Sequence, residues 1–388
     1  MASVDVLAPE SSAAFGTVKR KRSSSYLNSS SSNNNKMAHK TPNGPTFDPE
    51  THLNFQPPSK IWTMKEMGFA EQGVSPNAVS EPFPLFTADA IQQMRAEVLS
   101  KPVWDNCKYS SELAHCQLRG FAPEYAPFVY DAWRSPAVLS IVSKIAGVEL
   151  VPAMDLEIAH INISSNTKEQ IEAVKQALEE KSHREADEGV SGCPYEDDQP
   201  IVDWHTDSYP FVCVTMLSDC TNMIGGETAL RMGTGEIMKV RGPAMGNAIV
   251  LQGRYIEHQA LRALGTTERI SMVTSFRPKS AFIKDDTVLT TVRPISDLRE
   301  LYSQYAEYRF EMLEERVRAH LKVIRDGKRA RRFDTKATKA FIREQRSFLD
   351  SMLRELVDDD MVTAGMLGGA NHLFSDELIS EYRKKPRL

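Results

Sequence analysis

Residues 203–278 read DWHTDSYPFVCVTMLSDCTNMIGGETALRMGTGEIMKVRGPAMGNAIVLQGRYIEHQALRALGTTERISMVTSFRP, a succession of short apolar, β-branched runs cut by turn residues. FVCVTML is the pattern of a buried strand, Gly225 to Thr228 and residues 233–235 are turns, and residues 236–240 make a short strand. A Pro/Gly loop at 241–246 precedes two more strands at 247–251 and 270–276. Strands this short, with turns about every eight to twelve residues, point to an all-β sandwich or barrel, of which the double-sheet jelly roll is one form.

The same stretch carries His205, Asp207 and His258. Residues two apart on a strand share a side, so His205 and Asp207 can close on one ion if the bend after them is local. His258, on a later strand, completes a two-histidine, one-carboxylate facial triad, which leaves neighbouring metal positions open and is the geometry of iron(II) oxygenases. A His-x-Asp/Glu pair is weak by itself. The chain has a second, His183-Arg184-Glu185, in the run KEQIEAVKQALEEKSHREADE, where charge and helix formers argue for a solvated helix face.

GNAIVLQGRYIEHQA followed by ERISMVTSF resembles the second half of an iron(II)- and 2-oxoglutarate-dependent dioxygenase: glycine turn, strand, distal histidine, then an Arg-x-Ser strand. HTD, an apolar strand and a Gly-Gly turn resemble its first half. Within that family the stretch is similar to fungal secondary-metabolism oxygenases, including those that form an aziridine from valine. The resemblance implies an α+β fold with a double-stranded β-helix (jelly-roll, cupin-like) core and flanking N- and C-terminal helices. It implies that His205, Asp207 and His258 bind Fe(2+), with 2-oxoglutarate and O2 as co-substrates and Arg269 gripping the distal carboxylate. A guanidinium also suits that task on physical grounds, because it matches a carboxylate with two parallel hydrogen bonds and stays charged when buried. Ser271, on the same strand face, can donate a third; the alternative is a surface arginine. The implied activity is oxidation of an unactivated C–H of a small molecule, an amino acid or other metabolite, by hydroxylation, desaturation or cyclisation. Asp207 speaks against halogenation, since related halogenases lose the carboxylate ligand.

Residues 1–55 are rich in Ser, Asn, Lys and Pro and are expected to be disordered. Lys19 to Arg22 is a short basic cluster that reads either as a nuclear-import signal or as part of a solvated tail. Residues 56–147 are expected to be largely helical, with Thr87 capping one helix through Ser100 and Ser135-Pro136 and Gly147 bounding another. The core is expected over 148–280. VELVPAMDLEIAHINIS reads as its first strands, with Leu156, Ile158, His160 and Asn162 on one face and Asp155, Glu157, Ala159 and Ile161 on the other. If the first face points inward, Asn162 is set to hydrogen-bond the oxoglutarate or the substrate; the alternative is a satisfied core histidine and a strand-end asparagine. Residues 165–200 interrupt the core as an insertion sited to be a lid or a partner surface.

Tyr209 and Phe211 are candidates to line the pocket, and Arg231 and Arg254 to meet a substrate carboxylate, against a default of core and surface. Residues 281–388 return to helix at 296–324 and 335–357, a pair that braces the barrel, closes over the site, or pairs with another subunit as a homo-oligomer. Cys107, Cys116, Cys193, Cys213 and Cys220 form an odd set without CxxC, hence reduced thiols, and Cys107, His115 and Cys116 fit no zinc spacing. A net charge of -5 gives no general attraction to nucleic acid. The absence of a long apolar run argues against a membrane span. With no secretory signal in the N-terminal residues, the expectation is a cytoplasmic enzyme with a small-molecule substrate. Two rivals stand beside it: a macromolecular demethylase on the same fold, disfavoured by the acidic balance, and a non-catalytic metal-binding jelly roll, disfavoured by Arg269 and Ser271.

Overall fold

The alternation of residues 203–278, with one further strand before it, becomes eight core strands shared between two antiparallel sheets, and a separate two-stranded ladder. The structure, a computed structural model, describes residues 44–110, 116–165, 172, 176, 200–219, 223–240, 244–261, 263–264 and 268–362. The chain divides into two units, Met1–Gly44 and Pro45–Leu388, and everything below concerns the second. In chain order the described strands are β1 (Ile61–Thr63), β2 (Asn77–Ser80), β3 (Phe83–Pro84), β4 (Lys108–Tyr109), β5 (Cys116–Leu118), β6 (Leu150–Pro152), β7 (His160–Ser165) and β8 (Pro200–His205). They continue as β9 (Phe211–Met216), β10 (Ile224–Gly225), β11 (Thr228–Arg231), β12 (Ile237–Val240), β13 (Asn247–Leu251), β14 (His258–Leu261), β15 (Ala263–Leu264) and β16 (Glu268–Pro278).

The larger sheet runs β1-β2-β13-β9-β16-β7-β5-β4 and the smaller β12-β11-β14-β8. From β7 to β9, and again from β12 to β16, successive core strands change sheet, so that β13-β9-β16-β7 stand on one side and β12-β11-β14-β8 on the other. This interleaving is the jelly roll: two antiparallel sheets linked by crossing connections, with a shared interior. The fold is α+β, as expected, because helices cover the outer face of the larger sheet.

Strand β16 shows how the sequence fits both faces. Ile270, Met272 and Phe276 point outward into the main apolar cluster, while Arg269, Ser271, Val273 and Ser275 line the interior. A strand buried on both sides loses the polar/apolar alternation of a half-exposed one. Helices α2 (Ala88–Val98), α5 (Pro127–Arg134) and α6 (Pro136–Ala146), with the short α3 (Lys101–Asn106) and α4 (Ala122–Tyr125) between the first two, close the outer side. They contribute Ile91, Met94, Phe128, Trp133, Val138 and Val142 to that cluster, each worth about 1.5–3 kcal/mol when fully buried. Thr87 Oγ1 accepts from Ala90 N at 3.3 Å to begin α2, and Gly147 at φ 72° ends α6, as the sequence suggested.

The region 56–147 is not helical throughout. Strands β1 to β5 lie within it and extend the larger sheet at both edges. Each is two to four residues long, too short for a period to register, and is held by the sheet it joins. Residues 45–55 also depart from a disordered tail: Asp48 caps a short helix α1 (Pro49–His52), and Phe47, Leu53 and Phe55 pack on the main cluster. Residues 1–43, with the basic cluster, lie outside the described residues. So do most of the 165–200 insertion, the His183 pair, His115, Cys193 and Cys220.

The strands expected within 148–164 are present as β6 and β7, but the alternation expected across 155–162 is broken. After β6 a 3-10 turn at Asp155–Glu157 intervenes, and Ala159 takes φ 63° before β7 starts. That left-handed residue resets the alternation, so Glu157 and His160 both reach the interior.

The C-terminal helices α7 (Leu298–Arg329) and α8 (Thr335–Glu355) form a hairpin. Helix α7 runs five residues past the expected end, through Gly327, because its C-terminal Lys328 and Arg329 favour the helix dipole. Leu301, Tyr305, Tyr308 and Met312 of α7 share an apolar cluster with Phe348 and Met352 of α8, and with Met154, Leu156, Tyr209, Leu289 and Val292 of the barrel's mouth. Arg293 Nη2 meets Glu355 Oε2 at 2.5 Å. Of the three roles open to this pair, the contacts show bracing: it holds residues 287–296 against the barrel.

Candidate metal centre and its cavity

The last residue of β8 and the first of β14 are histidines, and the register sets them directly opposite: His205 pairs with His258. Their ring centroids are 4.4 Å apart. Asp207 follows β8 by two residues, its N–H donating to Gly253 O at 2.9 Å. His205 Nε2 lies 3.7 Å from Asp207 Oδ1, and His258 Nε2 lies 3.6 Å from Asp207 Oδ2. One ligand atom from each of the three falls within 4.8 Å of the others, the only such group among the described residues.

Both imidazoles are fixed in one tautomer. His205 Nδ1 is 2.7 Å from Asp203 O and His258 Nδ1 is 2.9 Å from Ile256 O. A carbonyl only accepts, so each Nδ1 carries a proton and each Nε2 is the atom turned toward the site, the orientation typical of metal-ligating histidines. Burial and the neighbouring His258 hold His205 down to about 4, against the pull of Asp207, so it is neutral near pH 7.

The chain fits a divalent cation by its own residues. Asp207 Oδ2 is buried with no hydrogen-bond partner, an arrangement that costs free energy unless something positive meets it. Gly253 makes room for that carboxylate: a Cβ there would stand 1.8 Å from Oδ2.

The triad opens on a cavity of about 180 Å³ between the two sheets. Arg269, 8% exposed, lines it from β16 and points Nη1 at Ser271 Oγ, 3.4 Å away. Ser271 pairs in register with Asn162 of β7, whose Oδ1 accepts from Gln117 Nε2 at 3.2 Å. His205, Asp207, His258, Arg269, Ser271 and Asn162 therefore all face one interior.

Other candidates fall outside it. Arg231 pairs with Glu257 at 2.6 Å and stacks on Trp204, with Cζ 4.5 Å from the ring. Arg254 donates to Asp286 O at 3.0 Å and to Thr206 Oγ1 at 3.3 Å. Tyr209 lines the cavity, but Phe211 packs in the outer cluster with Phe276, because the Ser208–Pro210 bend shifts the alternation before β9. Cys107 and Cys213 are buried and Cys116 half-buried, all free; burial raises Cys107 to about 11 and Cys213 to about 12, which makes them packing residues.

The sequence reading missed Arg119 and Glu157. Arg119 is 2% exposed and pairs with the 2% exposed Glu157 through both guanidinium nitrogens, Nη1 to Oε2 at 2.9 Å. Tyr209 Oη donates to Glu157 Oε1 at 2.6 Å, and Arg119 Nε to Ser296 Oγ at 3.0 Å. Gln117 lies in β5 and Arg119 one residue past its end, and three strand residues are too few for an alternation to be read.

No family model matches the chain, and no curated protein matches it. Similar solved structures include a 2OG-Fe(II) oxygenase-family oxidoreductase from Burkholderia pseudomallei, at 15% identity and TM-score 0.28 over 44% of this chain and 64% of that one. This chain thus spans less than two thirds of that protein. The non-heme alpha ketoglutarate dependent epimerase SnoN from nogalamycin biosynthesis is similar at 13% identity and TM-score 0.33, over 50% of this chain and 74% of that one. A prolyl-4-hydroxylase from Pseudomonas putida is similar at 13% identity and TM-score 0.29, over 58% of this chain and 99% of that one. Likenesses at this level carry no argument about activity; the functional reading stands on the strand order, the locked imidazoles and the buried guanidinium.

Proposed function

We propose that the chain is a non-haem iron(II)- and 2-oxoglutarate-dependent oxygenase that oxidises an unactivated C–H bond of a small molecule. The observation that carries this reading is the triad: two imidazoles with Nδ1–H tied to backbone carbonyls and a carboxylate with a buried, unpartnered oxygen, on one side of a cavity between the two sheets. His205 Nε2, His258 Nε2 and the Asp207 carboxylate would hold iron. Arg269, with Ser271 beside it, supplies the fork that receives the distal carboxylate of 2-oxoglutarate, and Asn162 stands next to Ser271 to orient the same co-substrate. Bound iron, 2-oxoglutarate and dioxygen supply the oxidising power; the chain positions the target bond and excludes water.

The walls suit that second task. Val202, Val212, Val214, Leu230, Ile249 and Val273 make the interior apolar around the polar groups. A cavity of about 180 Å³ between the sheets suits a small molecule. Hydroxylation, desaturation and cyclisation are the outcomes to separate. No helix among the described residues is long and apolar enough to cross a membrane.

The direct test is anaerobic. Iron(II) followed by 2-oxoglutarate should produce the visible charge-transfer absorption of a chelated keto acid. Aerobic turnover with a metabolite panel should then release succinate. A chain that binds neither iron nor 2-oxoglutarate by titration calorimetry would refute the reading.

A further inference from the structure

The interior of the larger sheet is laid out in rows across β16, β7 and β5. Arg269 stands opposite Ser164, Ser271 opposite Asn162 and Gln117, and Val273 opposite His160. The first two rows hold the groups assigned above to 2-oxoglutarate. The third leads to His160, Arg119, Glu157 and Tyr209, a polar wall that the proposed chemistry does not use.

Every charge on that wall is internally matched. Arg119 and Glu157 pair in two places, Tyr209 Oη donates to Glu157, and Arg119 Nε donates to Ser296. Among the described residues lining the cavity, the only other charged side chains are Arg269 and Asp207. What remains to meet a substrate is uncharged.

Arg119 also fixes His160. Its Nη1 lies 3.3 Å from His160 Nδ1, and a guanidinium can only donate, so Nδ1 is the acceptor and the ring proton resides on Nε2. Burial, and then Arg119, hold the imidazole down to about 3 against the pull of the neighbouring Asn162 side chain, so it stays neutral. The backbone aims it: Ala159, fully buried, sits in the left-handed region with its N–H on Thr274 Oγ1 at 3.0 Å. A non-glycine residue held there is strained, and its effect is to turn both Glu157 and His160 inward. Two rows are served at once, because Gln117, 5% exposed, gives Nε2 to Asn162 and leaves Oε1 buried without a partner.

We propose that His160 and Gln117 recognise the substrate, His160 as a neutral Nε2–H donor and Gln117 through Oε1 as an acceptor, and that the group they take is uncharged: an amide or a hydroxyl, not a carboxylate or an ammonium. Arg119 is the positioning residue that holds His160 in the donating tautomer. The inference rests on the oxygenase reading for the location of the co-substrate rows. It narrows the substrate away from the free amino acids that the sequence resemblance left open. A carboxylate on this wall would shed its water beside Glu157 with no cation left to meet it.

The test uses the full chain loaded with zinc(II), with and without 2-oxoglutarate. Long-range proton–nitrogen correlation spectra, assigned through loss of the signal in His160→Asn, should show His160 as the Nε2–H tautomer at neutral pH. An Nδ1–H tautomer or an imidazolium would overturn the proposal. Matched fragments differing only in a primary amide or a carboxylate are then titrated. We expect the amides to bind at least about tenfold tighter, with the ratio falling to about one in His160→Ala. Preference for the acids, or an amide preference that survives His160→Ala, also overturns it. Arg119→Lys should mix the tautomers while leaving iron affinity unchanged, which separates positioning from general damage. Failure of 2-oxoglutarate to bind, with tautomer and amide preference intact, would remove the oxygenase reading alone.

Discussion

His205 and His258 face each other across the β8–β14 register, and each gives its Nδ1–H to the carbonyl two residues before it. The consequence is that a single strand pair turns two Nε2 atoms toward Asp207. Removing the carboxylate leaves only those two. Loss of an outer contact to a ligand typically lowers metal affinity about 10–100-fold, so Asp207→Ala should exceed that. Competition titration with a chromophoric chelator measures it; unchanged affinity would show that the triad is not the metal centre.

Gly253 offers a subtler probe of the same centre. Its absent side chain is what lets Asp207 Oδ2 occupy its place, since a Cβ would fall 1.8 Å away. Gly253→Ala should therefore displace the carboxylate and weaken iron binding by about 10–100-fold, with His205 and His258 untouched. A variant that binds metal like the parent would mean that Asp207 can ligate from another rotamer.

The triad was legible because its residue types are rare and its spacing is set by strand geometry. Arg269 and Ser271 were legible for the same reason, two apart on one long strand. Strand order was only implied: nothing in FVCVTML or NAIVL says that β13 and β9 share a sheet while β11 and β14 share another. Arg119 and Glu157 were illegible for two physical reasons. β5 is too short to show alternation, and the left-handed Ala159 inverts the face on which Glu157 was expected. The five short strands before β6 escaped notice because their stability comes from the sheet edges they complete.

Arg269 is predicted to control 2-oxoglutarate affinity without supporting the fold. Arg269→Gln removes a charge-assisted pair worth about 1.5–3 kcal/mol, so the dissociation constant should rise on the order of 10–100-fold. Iron binding should be preserved. Calorimetry on the manganese-loaded protein reads both; equal 2-oxoglutarate affinity in parent and variant would take the clamp away from Arg269.

Glu157 is predicted to matter for stability first. Replacing it with Ala strands Arg119, 2% exposed, and breaking a buried pair from one side costs about 3–5 kcal/mol. Tyr209→Phe, which removes one hydrogen bond to the same carboxylate, should cost only about 1–2 kcal/mol. Urea unfolding curves rank the two, and a milder Glu157 variant than Tyr209 variant would contradict the pairing seen here.

The last prediction concerns acid. His160 is depressed from 6.5 to about 3 by burial first and Arg119 second. The unfolded chain therefore binds a proton near pH 6.5 that the folded chain refuses until about pH 3. Stability rises with pH wherever the unfolded state holds more protons, so this group's contribution is complete above about pH 6.5 and is lost progressively as the pH falls toward 3. His205, depressed to about 4, adds to the same window in the metal-free protein. Metal-free parent protein should accordingly show a urea midpoint that drops steeply below about pH 6.5. His160→Gln, which cannot titrate, should show a shallower slope over that range, whatever its stability at neutral pH. Parallel slopes for parent and variant would mean that His160 takes up its proton equally in both states, which is incompatible with an imidazole held neutral against Arg119.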